Sequence, residues 1–421
     1  MAKNTKAKKT KETAATRALA SLGKVRGGLD KHQVQLDRRH LTAVWPHIPP
    51  GNIKFEYILG GPFDKKGRNA CPGYPRGRVT NVYGAEHCGK TTLSLHAAAE
   101  TCAAGGCVGY IDYEHALDIR YAAKLGVPVH DQSQFLLFQP ETLEQGVAIV
   151  VGLACQKMDL IVLDSVGAAI PKTAFELSIE DIMKAESKAL GLQARAWSGS
   201  IPLMLYHLKM GGTAMIAIAQ QRDSISPMQK SKTVQGGNAW KYYSSVRLEM
   251  RQVSQIKGSR YNPLTHKVEK EAVVGTNVLV KVKKAKISGT SNYEAVVECI
   301  PNMGFDPFRA SVDLAIVHGI IHQSGSWYTW DHPKQGEIRH QGRQKFSDEL
   351  YKIPGVHREL DKLIRPHMSA QDVSPTGEDE EPDYHDEEGS FIEGEEGSTG
   401  VSVEKLAAIA DGKDFSVPEE D

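Results

Sequence analysis

One stretch of the chain has the residue types and the spacing needed to hold a triphosphate. Residues 84–91 read Gly-Ala-Glu-His-Cys-Gly-Lys-Thr, which fits the pattern G-x-x-x-x-G-K-[ST]. The glycines let the backbone curl so that its N–H groups point at phosphate oxygens, and a following helix adds its positive N-terminal end. In this pattern Lys90 reaches the β- and γ-phosphates, and the Thr91 hydroxyl can bind Mg²⁺. The sequence therefore predicts a nucleotide site here.

Two carboxylates accompany this loop. Leu160–Leu163 is an apolar run that ends in Asp164. Such a run favours a strand buried on both faces, and a carboxylate at its end can hold Mg²⁺ directly or through water. Glu114 follows the apolar stretch Val108–Asp112, so in a parallel sheet it would lie at the same edge as the phosphates and could polarise water. From these residues alone, a strand cap and an exposed loop glutamate remain the alternatives.

The surrounding pattern predicts an α/β fold. Apolar strands alternate with helical segments, as in a mostly parallel sheet. The predicted strands of this half are Arg78–Tyr83, Val108–Asp112, Gln134–Gln139, Leu160–Leu163 and Ala214–Ala219. The predicted helices follow residue 90, span Thr142–Val151 and run from about Ser178 to Met210. After residue 245 strands dominate, which predicts an antiparallel extension made of Val246–Met250, Val278–Val282 and Ala295–Cys299.

We expect four regions along the chain. They are a basic arm with a short helix at 1–48, an ATPase core at 49–305, a small α+β domain at 306–368 and an acidic tail at 369–421. The chain contains 51 Lys plus Arg and 51 Asp plus Glu, so its net charge of zero hides opposite charges at its two ends. That asymmetry is typical of a nucleic-acid binder with a regulating acidic tail, although two solvated tails would look the same.

The cysteine pattern and the hydropathy favour an intracellular protein. None of the six cysteines forms a C-x-x-C pair, which favours reduced thiols over disulfides or a zinc site. No apolar run reaches the roughly 18 residues that a membrane span needs, and the basic N-terminus has no apolar signal region. We therefore expect a cytoplasmic protein without membrane association.

Several stretches, in order, resemble the RecA family of bacterial recombinases. The similarity extends from about residue 53 to about residue 365. The stretches that carry it are Ile111–Tyr121, Gln139–Thr142, Val162–Val166, Gly236–Glu249 and Val280–Lys286. The resemblance implies a RecA-like P-loop ATPase core and DNA-dependent ATP hydrolysis. It also implies a helical filament on single-stranded DNA that carries out homologous pairing and strand exchange with a duplex.

The resemblance also implies roles for single residues, with ATP and Mg²⁺ as cofactors. Glu114 would be the catalytic base, and Gln220 would sense the γ-phosphate. Lys284 and Lys286 would reach the ATP of a neighbouring subunit, acting with Lys90 in catalysis. Thr91 and Asp164 would hold the metal. The nucleotide would contact Gly84, Glu86, His87, Cys88, Gly89, Lys90, Thr91, Thr92, Asp118, Tyr121 and Asp164.

DNA would be held by two loops, at about 175–190 and 222–237. Their polar, moderately basic, glycine-containing composition suits backbone binding, although ordinary surface loops share it. The implied DNA-binding residues are Lys172, Arg195, Arg222, Lys230, Lys232, Gly236, Gly237 and Asn238. The implied partners are single- and double-stranded DNA, further copies of the chain in a filament, and a single-strand binding protein or loader.

Departures from the family pattern favour a divergent member, such as one encoded by a bacteriophage. His87 and Cys88 stand where small hydroxyl residues are usual, Ala219 replaces an asparagine, and residues 258–273 resemble an insertion. Two alternatives stay open. One is a ring helicase or recombination accessory ATPase built on the same core, and the other is a non-enzymatic coat on single-stranded DNA that nucleotide switches.

Overall fold

A mixed sheet forms the centre of the described part of the chain. The computed structural model describes residues 43–64, 66, 68–175, 186–223, 232–262 and 266–368. The predicted arm up to residue 42 and the predicted tail lie outside the described residues, which all fall in one compact unit. The boundary near residue 306 stays a prediction. Within the described part of the chain, no helix is both long and apolar enough to cross a bilayer.

The strands and helices of the described residues alternate in the first half of the chain, as predicted. The strands are β1 (His47–Ile48), β2 (Tyr74–Pro75), β3 (Val79–Gly84), β4 (Val108–Asp112), β5 (Phe135–Phe138), β6 (Leu160–Asp164), β7 (Ala214–Asp223), β8 (Lys232–Val234), β9 (Val246–Asn262), β10 (Lys267–Ala285), β11 (Glu294–Ile300), β12 (Gly304–Phe305), β13 (His322–Ser324), β14 (Trp327–His332) and β15 (Gly336–Gln341). The helices are α1 (Ile53–Gly60), α2 (Lys90–Ala103), α3 (Ile119–Lys124), α4 (Leu143–Cys155), α5 (Lys172–Phe175), α6 (Glu186–Gly211), α7 (Ala239–Tyr243), α8 (Pro307–Val317), α9 (Arg343–Tyr351) and α10 (Val356–Ile364), followed by a 3-10 turn at Arg365–Met368.

The parallel half of the sheet has the order β3-β7-β6-β4-β5. Its central strands are buried along their whole length, which is why the run at 160–163 is continuously apolar. Alternate residues point to opposite faces, so Val162 packs toward α2 and Leu163 packs toward α4 and α6. Because all five strands run the same way, their carboxyl ends meet at one edge, and the predicted α/β arrangement is confirmed.

The antiparallel half is longer than the sequence analysis predicted. β9 and β10 pair from Val246↔Ala285 out to Asn262↔Lys267, with several irregularities in register. The predicted strand Ala295–Cys299 matches β11 to within one residue at each end, but the strands predicted for β9 and β10 were too short. In β9, residues 251–255 are exposed and lack the alternation that marks a half-buried strand. The supposed insertion at 258–273 lies at the far end of this two-stranded ribbon, and its residues 263–265 are outside the described part.

Three apolar clusters hold these layers together. The first lies between the sheet and α2, and the second lies between the sheet and helices α4 and α6. In the second cluster, Trp197 and Trp240 meet edge to face, with ring centroids 5.0 Å apart. The third cluster joins residues of α1, such as Ile53, to the segment after residue 306, including Leu360 and Ile364. The C-terminal segment is therefore packed against an early part of the core.

Candidate active site

The phosphate-loop pattern lies between β3 and α2, as its chemistry requires. Gly89 caps α2 with a left-handed backbone (φ 84°), and His87 also has a positive φ of 58°. Gly84 must be a glycine because an added Cβ would lie 2.1 Å from the Met250 carbonyl oxygen on β9. The loop therefore leaves the sheet where two strands approach closely, and it leads directly into the N-terminus of α2, whose N–H groups can bind an anion.

The side chains of Lys90 and Cys88, both in the loop, are buried. The Lys90 ammonium donates to the carbonyl oxygens of Ala85 (2.6 Å) and Gly84 (3.2 Å), so it rests on the loop itself. The Cys88 thiol donates to Ala85 O at 3.0 Å. Burial raises the pKa of Cys88, although the nearby Lys90 partly opposes this. The unusual cysteine thus serves as a small packing residue inside the loop.

Asp164 ends β6 beside the start of α2. Its Oδ2 atom accepts hydrogen bonds from the Tyr110 hydroxyl (2.7 Å) and the Thr91 hydroxyl (2.9 Å). Burial raises the pKa of Asp164 to about 6; the two hydroxyls act in the opposite direction, and the Glu114 carboxylate adds to the rise. Burying a charged carboxylate costs free energy, and a cation bound beside it would offset that cost. Asp164 is therefore well suited to bind a cation.

Glu114 joins three neighbouring strands at the carboxyl edge. It follows β4, and its Oε1 atom accepts from Ser165, which follows β6, at 2.5 Å. The same oxygen accepts from the Gln220 side-chain amide, on β7, at 3.2 Å. Asp112 orders the turn below it, because its carboxylate accepts from the backbone N–H groups of Glu114 and Leu117, both at 3.1 Å. Two donors on one oxygen leave the other carboxylate oxygen of Glu114 available to a substrate.

A cavity of about 800 Å³ opens at this edge, a volume suited to a ligand of nucleotide size. Ten predicted site residues line it, namely Glu86, His87, Gly89, Lys90, Thr91, Thr92, Glu114, Tyr121, Asp164 and Gln220. The sequence analysis did not anticipate that Ala116, Ile218, Cys299, Pro301 and Asn302 also line it.

The residues of the cavity fit a triphosphate with Mg²⁺. Lys90 and the loop N–H groups supply positive potential, while Thr91 and Asp164 supply the oxygen ligands that Mg²⁺ prefers. In the described part of the chain, no group of three or more His, Cys, Asp or Glu side chains could hold a metal ion. Mg²⁺ is commonly bound by one or two protein oxygens together with phosphate oxygens and water, which fits the pair Thr91 and Asp164.

The predicted adenine contacts lie at the rim of the cavity. The Tyr121 hydroxyl is 3.0 Å from the Thr92 hydroxyl, which links α3 to α2. Asp118 caps α3 by accepting from the backbone N–H groups of Arg120 (2.9 Å) and Tyr121 (3.1 Å). An adjoining cavity of about 390 Å³ is lined by Asp118 and Tyr121 and by Lys124, whose ammonium donates to the Asn302 side chain at 2.8 Å. Their role toward the base stays a prediction.

Lys284 and Lys286, unlike Lys90, are not among the residues that line this cavity. The Lys284 ammonium donates to the carbonyl oxygens of Lys241 (2.8 Å) and Tyr242 (2.9 Å). Burial lowers the pKa of Lys284, and the charge of Lys286 lowers it further. Lys286 is exposed and borders a separate cavity of about 660 Å³ that Tyr206 also lines. Their action on a neighbouring subunit's ATP stays a prediction.

The predicted DNA-binding residues are only partly described. Lys172 on α5 and Arg195 on α6 are exposed. Lys230 and most of the first loop, residues 176–185, lie outside the described residues. One expectation was wrong: the second loop is not irregular from residue 222 onward, because Arg222 pairs with Thr233.

Strand pairing narrows that second loop. Lys232, on β8, pairs with Asp223 on β7, so the unpaired stretch is shorter than predicted. Gly236 and Gly237 follow with positive φ angles of 86° and 82°, and the exposed Asn238 comes next. The positive φ angles favour glycine at both positions, and successive backbone N–H groups in such a conformation can form an anion-binding site.

Sequence reasoning missed three residues that organise the site. Ser165 donates a hydrogen bond to Glu114, and Tyr110 donates one to Asp164. Asp112 accepts hydrogen bonds from the backbone of the turn between β4 and α3. Ser165 could have been found because it directly follows Asp164 at the same sheet edge. Tyr110 carries no such signal, because a tyrosine inside an apolar strand is usually a packing residue.

Comparisons with known proteins agree with this geometry. A family model described as RecA N-terminal domain matches residues 54–305. A protein from Mycolicibacterium gilvum named Protein RecA is 36% identical over 357 residues, which are 84% of this chain and 91% of that protein. Proteins of the same name from Frankia casuarinae and Rhodococcus jostii are each 35% identical, over 78% and 80% of this chain and 87% of each relative.

Proposed function

The chain belongs to the RecA family, and we propose from this that it is an ATP-dependent recombinase acting on DNA. In this proposal it hydrolyses ATP with Mg²⁺, coats single-stranded DNA as a helical filament of its own copies, and exchanges strands with a homologous duplex. One observation supports the proposal above others. Glu114 and Gln220 are hydrogen-bonded to each other beside the phosphate loop, which joins a hydrolytic group to a strand that leads toward the candidate DNA loop.

The hydrolytic step follows from the chemistry of Glu114. Its free oxygen would accept a proton from water as that water attacks the γ-phosphorus, and the bond to the β-phosphate oxygen would break to give ADP and phosphate. Lys90 would stabilise the charge that develops on the phosphate oxygens. Mg²⁺, when bound near Thr91 and Asp164, would neutralise charge on the β- and γ-phosphates.

Coupling to DNA would pass through β7. Gln220 lies on this strand, which continues to Asp223 and pairs with β8 just before Gly236 and Gly237. In this proposal, Gln220 turns from Glu114 to the γ-phosphate and the end of β7 shifts with it. The protein would then have two states, one that binds DNA tightly and one that binds it weakly. ATP would favour the first because it contacts Gln220 better in that state.

The filament would place a second copy's lysines at the ATP. Lys284 and Lys286 lie away from the cavity of their own chain, with Lys284 held by backbone carbonyl oxygens near the end of α7. Such a position suits a contact with another subunit, where a cation could act on the phosphates much as an arginine finger does. ATP hydrolysis would then depend on assembly.

The test measures ATP hydrolysis with and without single-stranded DNA, together with strand exchange between a circular single strand and a linear duplex. The wild-type protein should show DNA-stimulated hydrolysis and strand exchange, and Glu114→Gln should lose hydrolysis. Glu349→Gln, which changes a half-buried glutamate paired with Lys352 at 2.7 Å and far from the phosphate loop in sequence, is the matched control and should keep both.

Two results would contradict the proposal. Hydrolysis without strand exchange, with rings in negative-stain images, would indicate a motor on the same core. Strand coating without DNA-stimulated hydrolysis would indicate a nucleotide-switched coat protein.

A further inference from the structure

The hydroxyl of Tyr110 is a buried group that the proposed reaction does not yet use. Tyr110 lies in the middle of β4 and is completely buried, yet it ends in a polar atom that donates to Asp164 Oδ2 at 2.7 Å. We propose that Tyr110 is a positioning residue that sets the Asp164 carboxylate for Mg²⁺. This inference rests on the proposed function, because it assigns a role toward the metal of the nucleotide site.

The sheet register places the two side chains together. β4 and β6 are parallel neighbours in which Tyr110 pairs with Val162 and Asp112 pairs with Asp164. Residues 110, 162 and 164 therefore point to the same face, which is the face covered by α2. The Tyr110 ring is fixed by packing, with the Phe135 ring centroid 6.2 Å away, so its hydroxyl is delivered to Asp164 by a rigid strand.

The two donors to Asp164 differ in what else they can do. Thr91 lies at the rim of the cavity, and a threonine hydroxyl that binds a metal through its oxygen can still donate its proton to a carboxylate. Tyr110 is fully buried beneath the cavity and is not among its lining residues. Its hydroxyl can therefore fix Oδ2 but cannot replace a metal ligand.

Both hydroxyls use Oδ2, which leaves Oδ1 of Asp164 for the metal or for a water bound to it. With only Thr91 as donor, the carboxylate could rotate and turn Oδ1 away from the phosphates. A phenylalanine would fill the same space without this constraint, so packing alone does not require the hydroxyl. Outer-shell partners that orient a metal ligand typically change metal affinity by about 10–100-fold when removed.

The experiment measures how strongly Mg²⁺ and nucleotide help each other to bind. Calorimetry gives the dissociation constant of ADP with and without Mg²⁺. The constant without Mg²⁺ divided by the constant with Mg²⁺ measures how much the metal strengthens ADP binding, and it requires no catalysis. Tyr110→Phe should lower this ratio about 10-fold and leave the affinity for metal-free ADP unchanged. Binding of Mn²⁺ to the ADP complex, followed by electron paramagnetic resonance, should weaken by a similar factor.

Tyr113→Phe is the matched control. Tyr113 is also buried, and its hydroxyl donates to the Leu143 carbonyl oxygen at 3.0 Å, so the change removes a similar hydrogen bond without touching Asp164. It should lower the melting temperature as Tyr110→Phe does and keep the wild-type ratio. Should Tyr110→Phe fold poorly, 3-fluorotyrosine at position 110 keeps the shape, makes the hydroxyl a stronger donor and should raise the ratio.

Two results would overturn the inference and are distinguishable from each other. A wild-type ratio in Tyr110→Phe, or an unchanged ratio with 3-fluorotyrosine, removes the role of Tyr110 and leaves the proposed function intact. ADP affinity that does not depend on Mg²⁺ in the wild-type protein removes the proposed metal site, and the role of Tyr110 with it.

Discussion

Replacing Ser165 with alanine removes one of the two hydrogen bonds that hold the proposed catalytic base. The Ser165 hydroxyl is buried and donates to Glu114 Oε1 at 2.5 Å, while Gln220 donates to the same oxygen at 3.2 Å. The alanine side chain fits the same space, so the loop should keep its path. What changes is the freedom of the Glu114 side chain, which is otherwise exposed and could leave the γ-phosphate position.

The expected loss follows from the hydrogen bond. A hydrogen bond to a charged group contributes about 1.5–3 kcal/mol, so a full loss of positioning would lower the hydrolysis rate about 10- to 150-fold. ATP binding should be unchanged because Ser165 is not among the residues that line the cavity. Single-turnover hydrolysis with saturating single-stranded DNA measures the rate, and nucleotide titration measures binding.

Ser311→Ala is the control for the general cost of removing a buried serine. Ser311 is equally buried and donates to the Asp361 carboxylate at 2.5 Å, in the C-terminal segment. It should lower the melting temperature and leave hydrolysis unchanged. If Ser165→Ala hydrolyses ATP within twofold of the wild-type rate, the hydrogen bond does not position the base and the reasoning is wrong.

Gly84, His96 and Gln220 each make a contact whose loss can be measured. Gly84→Ala should abolish nucleotide binding and lower the melting temperature, because its Cβ would lie 2.1 Å from Met250 O; a nucleotide titration that matches wild type would contradict this. Burial lowers the pKa of His96 to about 4, below its ordinary 6.5, so the unfolded state takes up the proton first. The free energy of unfolding should fall by up to about 3 kcal/mol as the pH drops from about 6.5 to about 4; His96→Gln, which keeps an acceptor for Phe305 N, should flatten this fall in urea titrations. Gln220→Ala should keep ATP binding and lose the increase in DNA affinity that ATP causes, and an unchanged increase in a filter-binding assay would refute the coupling.

The sequence predicted the parallel half of the fold well because burial on both faces leaves a simple signature. The apolar run at 160–163 became a central strand, while the less apolar segment at 134–139 became β5, the edge strand. The ribbon of β9 and β10 was underestimated since its outer residues are exposed and its stability comes from pairing with each other, which no local pattern records. Strand pairing likewise shortened the second DNA loop, because Arg222 and Lys232 belong to paired strands.

The nucleotide site was predictable as a set of residues but not as a network. The loop pattern, and the tendency of ligands to bind at the carboxyl ends of parallel strands, predicted that Lys90, Glu114 and Gln220 would lie together, and all three line one cavity. The hydrogen bonds from Tyr110 and Ser165 depend on which strands are neighbours, and β5, which lies between β4 and β6 in the sequence, is not between them in the sheet. Contacts set by strand order are therefore the part that sequence reasoning could not reach.

The cluster shared by α1 and the C-terminal segment has a consequence for synthesis. Ile53 and Phe63 leave the ribosome early, but their partners Leu360 and Ile364 emerge some three hundred residues later. Because chains are synthesised at about 5–20 residues per second, this apolar face stays exposed for roughly 15–60 seconds before its partner residues are made. A nascent chain that stalls before residue 356 would carry that face uncovered, and so would be a target for chaperones and proteases even with its phosphate loop already formed.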